Sequence, residues 1–180
     1  MKKLLFTCLF AALIFAANAQ TTDNLKVVDS TTTFKGLSQP IENGTLIKTA
    51  NFHFYEINDK VIQKAGYPAV PQITVYQDGK KYKMKIQGME KILTVKKIQE
   101  VIESNISGYL EGNSLRDFKG YDGTTTFKLQ NDQEWKQDEM TSNVFSSLFR
   151  PAVTIYLASE GYKMKIEGLN ESPILVKKVR

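Results

Sequence analysis

The chain has 180 residues, 42% of them hydrophobic and 24% charged, with a formal net charge of +5. Its 24 basic and 19 acidic residues are too evenly balanced to point to nucleic acid. The one cysteine, Cys8, falls within the first twenty residues, so the rest of the chain offers no disulfide, no thiol nucleophile and no cysteine-ligated metal.

The first stretch, "MKKLLFTCLFAALIFAANAQ", has a basic start at Lys2 and Lys3, an apolar run from 4 to 16, and then Ala17-Asn18-Ala19. Small residues flanking one position are what a signal peptidase accommodates, so residues 1–19 are predicted to be a secretory signal cut before Gln20. The run is shorter than the roughly 20 apolar residues that cross a bilayer, and no later stretch is apolar enough, so a non-membrane-spanning, periplasmic or secreted protein is expected. Phe6-Thr7 before Cys8, and the apolar run continuing after it, do not fit lipoprotein cleavage. Without Lys2 and Lys3, 22 basic and 19 acidic residues leave +3. The surplus lies mainly in residues 31–98, where eleven lysines face five acids, a pattern that reads as a solvated lysine face or one favouring an anionic surface.

Beyond the leader the chain repeats itself at a distance of 80 residues. "PQITVY" at 71–76 meets "PAVTIY" at 151–156, and "YKMKIQG" at 82–88 meets "YKMKIEG" at 162–168. After one inserted residue, "LTVKKI" at 93–98 meets "ILVKKV" at 174–179. This register predicts two copies of one module, at 27–98 and 113–180. Each copy alternates at period two, the signature of half-buried strands: Tyr82, Met84 and Ile86 share one face, while Lys83 and Lys85 take the other. Asp78-Gly79 supplies a hairpin turn, as does Ser159-Glu160-Gly161 in the second copy. "TLIKTA" and "FHFYEI", with "TTFKLQ" and "QEWKQ" in the second copy, complete five short strands per copy.

Five strands in so few residues cover an edge best by curling into a small barrel. The fold class expected is therefore mainly β, with two tandem five-stranded barrels, SH3-like in the first choice and OB-like in the second. Ile47, Ile73, Val75, Tyr82, Met84, Ile86, Leu93 and Val95 would fill the first. Between the copies, "KIQEVIESNISGYLEG" places Ile98, Val101, Ile102, Ile106 and Tyr109 at helical spacing with glutamates between them. It predicts a short connecting helix over 99–112, limited by Gly108 and Gly112.

"FKGYDGTTTFKLQNDQEWKQ" followed by "PAVTIYLASEGYKMKIEGLNESPILVKKV" resembles an uncharacterised bacterial exported module: a tryptophan strand, a P-x-V-x-I-Y strand, a G-Y-K-M-K-[IV]-[DE]-G hairpin and a closing V-K-[KR] strand. The resemblance covers 98–180, with a diverged copy at about 27–98. It is carried by Trp135, Pro151, Tyr156, Tyr162, Gly168 and Lys177. It implies a small SH3-like barrel and brings no activity. The chain departs from the pattern at Asp132, where a turn glycine is common, and by extra residues around 113–117.

Catalytic machinery is not legible. His53 is the only histidine, so a His-rich zinc site is excluded, and the second copy has Gln133 in its place. Asp138-Glu139 and Asp117/Asp122 lack calcium-loop spacing, and there is no G-x-S-x-G, P-loop or G-x-G-x-x-G. The reading is therefore not an enzyme, with no cofactor, no metal and no catalytic residues; a cell-wall hydrolase is the remote alternative. Binding fits better. Tyr55 and Trp135 are equivalent under the repeat, and either fill a core or floor a groove. The copies diverge most at 58–70, which holds Tyr67, and at 138–150, which holds Phe145 and Phe149. Loops on a rigid scaffold commonly carry function. Tyr55, Tyr67, Trp135, Phe145 and Phe149 are thus candidate ligand-binding residues, with an envelope protein or glycan as partner, against a purely structural or adaptor role.

Overall fold

The structure, a computed structural model, describes residues 25–37, 40–60, 68–139, 143–169 and 171–180; the predicted leader and Tyr67 lie outside these. The described residues form strands and no helix. The strands of the first half are β1 (Lys26–Thr32), β2 (Leu46–Lys48), β3 (Phe54–Ile57), β4 (Gln72–Asp78), β5 (Lys81–Ile86) and β6 (Leu93–Ile98). Those of the second are β7 (Val101–Glu111), β8 (Ser114–Arg116), β9 (Gly120–Tyr121), β10 (Thr126–Leu129), β11 (Glu134–Gln137), β12 (Val144–Phe145), β13 (Ala152–Leu157), β14 (Tyr162–Ile166) and β15 (Ile174–Lys178).

The first half is a six-stranded barrel in the order β1-β4-β5-β6-β3-β2, whose ends meet at a Thr33–Thr49 bridge. The second is a curled seven-stranded sheet, β10-β11-β15-β14-β13-β7-β8, in which β10 also pairs with β7. The pairing registers match. Val75 lies opposite Met84 and Ile73 opposite Ile86, as Ile155 lies opposite Met164 and Val153 opposite Ile166. Alternation decides which side chains go inside. Seven of the eight residues expected inside the first half are buried in one cluster, with Tyr82 packed against it. The matching cluster in the second half holds Phe127, Trp135, Ile155, Met164, Ile166 and Val176. At the first hairpin only Gly79 has positive φ, 59°, and a two-residue loop joins Asp78 to Lys81, so glycine alone supplies the turn's unusual backbone.

Two expectations are corrected. The strand count is not five in either half: the first has six, because β1 precedes the predicted set, and the second half is a curled sheet of seven, because β7 and β8 join it. Asp29 within β1 and Thr33 just beyond its end are buried but polar, so hydrophobic alternation did not reveal that strand. The segment expected to be a connecting helix is the eleven-residue strand β7. Ile98, Ile102 and Ile106 are four residues apart, a spacing that shares a face in a helix and in a strand alike. The β-branched residues there favour extended chain, and the unpaired edges of β13 and β10 supply the partners: Ile102 pairs with Ile155, and Tyr109 with Phe127. Gly108 does not end a helix; a Cβ there would lie 2.1 Å from the carbonyl oxygen of Arg116, so glycine lets β8 come close.

The two sheets pack on one another. Phe54, Ile98, Tyr156 and Ala158 form a third buried cluster, flanked by Leu46 and Val101. This covers the outer face of β3, which is why all four of its residues are buried. Glu56 sits in the contact, accepting from the Tyr156 hydroxyl (3.4 Å) and the Lys163 ammonium (3.4 Å). Burial, then the Glu56 charge, raise the Tyr156 pKa.

Candidate functional site

Tyr55 and Trp135, each 1% exposed, are core residues and floor no groove. The Trp135 ring meets Tyr162 edge-on at 5.1 Å, and its Nε1–H donates to Gln133 Oε1 at 3.2 Å. Tyr55 occupies the same place in the barrel, pairing with Lys97 as Trp135 pairs with Lys178. Its surroundings differ. Asp29 Oδ1 accepts from Asn51 Nδ2 at 2.8 Å, and Asp29 Oδ2 lies 2.8 Å from His53 Nδ1. Burial, then the Asp29 charge, push the Tyr55 hydroxyl up to about 12.

The one histidine is therefore a satisfied partner of a buried carboxylate. A carboxylate behind an imidazole is one part of a nucleophile–base arrangement, but among the described residues no hydroxyl or thiol hydrogen-bonds to the ring. Nor do three His, Cys, Asp or Glu residues come together to hold a metal ion among the described residues. No helix among them is long and apolar enough to cross a membrane.

Phe145 and Phe149 stand apart from the core, 86% and 79% exposed. Their segment is held at its start by β12, where Val144 pairs with Tyr121 and Phe145 with Gly120. Gly120 has φ 107°, and a Cβ there would collide with the Val144 carbonyl oxygen at 1.6 Å, so only glycine admits β12 at this distance. Beyond it, Ser146 N–H donates to Lys119 O at 3.1 Å and Leu148 N–H to Ser146 Oγ at 3.2 Å. Leu148 turns inward against the second-half cluster, leaving the two phenylalanines outside. The Arg150 guanidinium lies 5.1 Å from the Phe149 ring centroid. A hollow of about 430 Å³ runs beneath, lined by Ser107, Phe118, Lys119 and Leu148 among others, with Phe149 and Arg150 at its edge. Phe145 and Phe149 thus both stand exposed on one segment; Tyr55 and Trp135 are in two separate cores.

A larger feature lies between the sheets. Two adjoining hollows, of about 350 and 580 Å³, share Thr45, Leu46 and Lys165. Their walls carry paired charges: Lys48 with Glu103 at 2.7 Å and Lys35 with Glu167 at 3.3 Å. The Lys48 ammonium also lies 4.3 Å from the Phe34 ring centroid and 5.2 Å from that of Phe52. Repeat reasoning missed this cleft because its walls come from both halves, and a pattern shared by the copies does not say which residues of one meet which of the other. The one available signal was that Phe34 has no aromatic counterpart in the second half.

The chain matches no family model, no curated protein and no solved structure.

Proposed function

We propose that this is an exported, non-catalytic protein made of two tandem copies of one small SH3-like barrel, which binds a partner in the cell envelope through an inter-strand loop. The paired registers of β4–β5 and β13–β14 support the tandem reading, as does the closing contact in each half, Thr33 with Thr49 and β7 with β10. So does the residue-level resemblance to the exported bacterial module. The basic, apolar and small-residue order of 1–19 supports export.

The observation that carries the binding role is the exposure of Phe145 and Phe149 on a segment whose base is pinned. Two neighbouring phenylalanines in water cost solvation free energy that a partner would recover, and a pinned base reduces the ordering entropy of binding. Apolar rings beside an arginine suit a protein surface, with an envelope glycan as the other candidate. The test is capture of partners from an envelope fraction by the mature chain. Phe145→Ala with Phe149→Ala should abolish capture of at least one specific protein while leaving the circular dichroism unchanged. Identical capture by the folded double variant would defeat the loop reading, and purification of the native protein with Met1 intact would defeat export.

A further inference from the structure

The strand β2 ends the first barrel's strand order. Its bonding parity follows from two contacts: Ile57 N–H donates to Thr45 O, and Thr49 N–H donates to His53 O, each at 2.9 Å. The Thr45 carbonyl and the backbone groups of Ile47 and Thr49 therefore turn toward β3, and Leu46 and Lys48 turn theirs away. Lys48 O accepts from Phe34 N–H at 2.8 Å. Among the described residues, that leaves the N–H and C=O of Leu46 and the N–H of Lys48 directed along the open edge. Residues Thr45, Leu46, Ile47 and Lys48 all line the cleft between the sheets.

The second half fills the same edge. There Lys128 pairs with Gly108 and Phe127 with Tyr109, because β7 runs straight on past Ile106. In the first half the chain leaves after Phe34. Leu37 N–H donates to Ala69 O at 3.1 Å, and Gly36 lies so near that oxygen that a Cβ would be 2.7 Å from it. The departure opens the cleft where a covering strand would lie. Thr33 Oγ1, on the cleft wall, is buried and has no hydrogen-bond partner among the described residues.

The charges of the cleft are unequal in their pairing. Lys35, Lys48 and Lys163 each have a carboxylate within reach. Lys165, common to both hollows, donates only to the backbone oxygen of Glu171 at 2.7 Å, and among the described residues it has no ion pair. Burial lowers its pKa, while Glu167, Glu171 and Glu42 act on it from a distance in the opposite sense. A carboxylate brought against it would offset the cost of that desolvation.

We propose that the open edge of β2 takes an extended peptide of a partner protein as an added strand, with an acidic side chain of that peptide set against Lys165. Backbone donors and acceptors at strand spacing fit a polypeptide, and strand addition is a recurring mode of peptide recognition. The site is separate from the Phe145 and Phe149 surface and does not depend on it.

The test uses the full mature chain and a pool of capped pentapeptides with a central glutamate and β-branched residues elsewhere. Amide exchange at Leu46 and Lys48 is expected to slow on adding the pool. Lys165→Gln should weaken binding about tenfold, the loss of one well-placed charge contact. Lys165→Glu should transfer preference to the matching pool with a central lysine, and Thr33→Val, close in volume, should weaken binding without unfolding the barrel. Phe145→Ala should change none of this. The proposal is overturned if Leu46 and Lys48 exchange unchanged at millimolar peptide. It is equally overturned if free glutamate or a uronic-acid oligosaccharide produces the same response as the peptides, or if both charge variants bind like the parent.

Discussion

The two halves close on themselves by different means. In the second sheet the closure is a ladder: β7 pairs with β13 through residues 101–105 and with β10 through 106–109. In the first, β1 pairs with β4 and then touches β2 at a single bridge, and side chains take over, with Asp29 joining β1 to Asn51 and His53. A backbone ladder has no titratable group and tolerates substitution. A seam gathered on one buried carboxylate depends on each partner, because any donor or acceptor left over in the interior is costly. The same difference leaves one strand edge covered and the other open.

Several substitutions would break or sharpen this contrast. The largest effect should come from the core that the ladder encloses. Trp135→Ala is expected to cost about 3–5 kcal/mol, since the cavity adds to the lost transfer energy; urea unfolding measures it. Next comes the side-chain seam. Asp29→Ala should cost about 2–3 kcal/mol, the loss of hydrogen bonds to a charged group whose partners can turn to water. Gln133→Ala, at the position matching His53, should cost about 1 kcal/mol, a single neutral hydrogen bond. Equal costs for Asp29→Ala and Gln133→Ala would show that the two seams are energetically alike.

A third prediction concerns alkali. Tyr55 is raised to about 12 in the folded chain, so its neutral form persists where the unfolded chain's tyrosine ionises, near about 10. Its contribution is complete below the unfolded value and is lost as pH rises from there through the folded value, because the unfolded state releases the proton first. Stability should fall across that window, and Tyr55→Phe should reduce the fall; Tyr156 contributes in the same sense. Constant stability up to pH 12 would remove Asp29 and burial as the cause. The smallest effect should be at the exposed loop, where Phe145→Ala is expected to change stability by no more than about 0.5 kcal/mol while changing partner capture.

Much of the fold was legible. Period-two alternation assigned Ile73, Val75, Met84, Ile86, Leu93 and Val95 to the interior, and their counterparts under the repeat, Ile155, Met164 and Ile166 among them, are buried in the second half. The exposed loop residues Phe145 and Phe149 were also singled out, through divergence of the copies. The segment at 101–111 was misread because a four-residue apolar spacing satisfies both helix and strand, and the choice rested on strand edges distant in sequence. Tyr55 and Trp135 could not be assigned to core or groove, since an aromatic at a period-two position suits either until the opposite wall is known.

By itself the sequence determined the β character, the hairpins and the inward faces, because alternation and turn chemistry act between neighbours along the chain. Tertiary structure alone decided what meets across the two halves: Glu56 with Tyr156 and Lys163, Lys48 with Glu103, and the edge of β2 facing Lys165. Those contacts join residues some 50 to 120 positions apart. No local pattern encodes them, because they follow from how two twisted sheets pack and from where the chain after Phe34 turns aside.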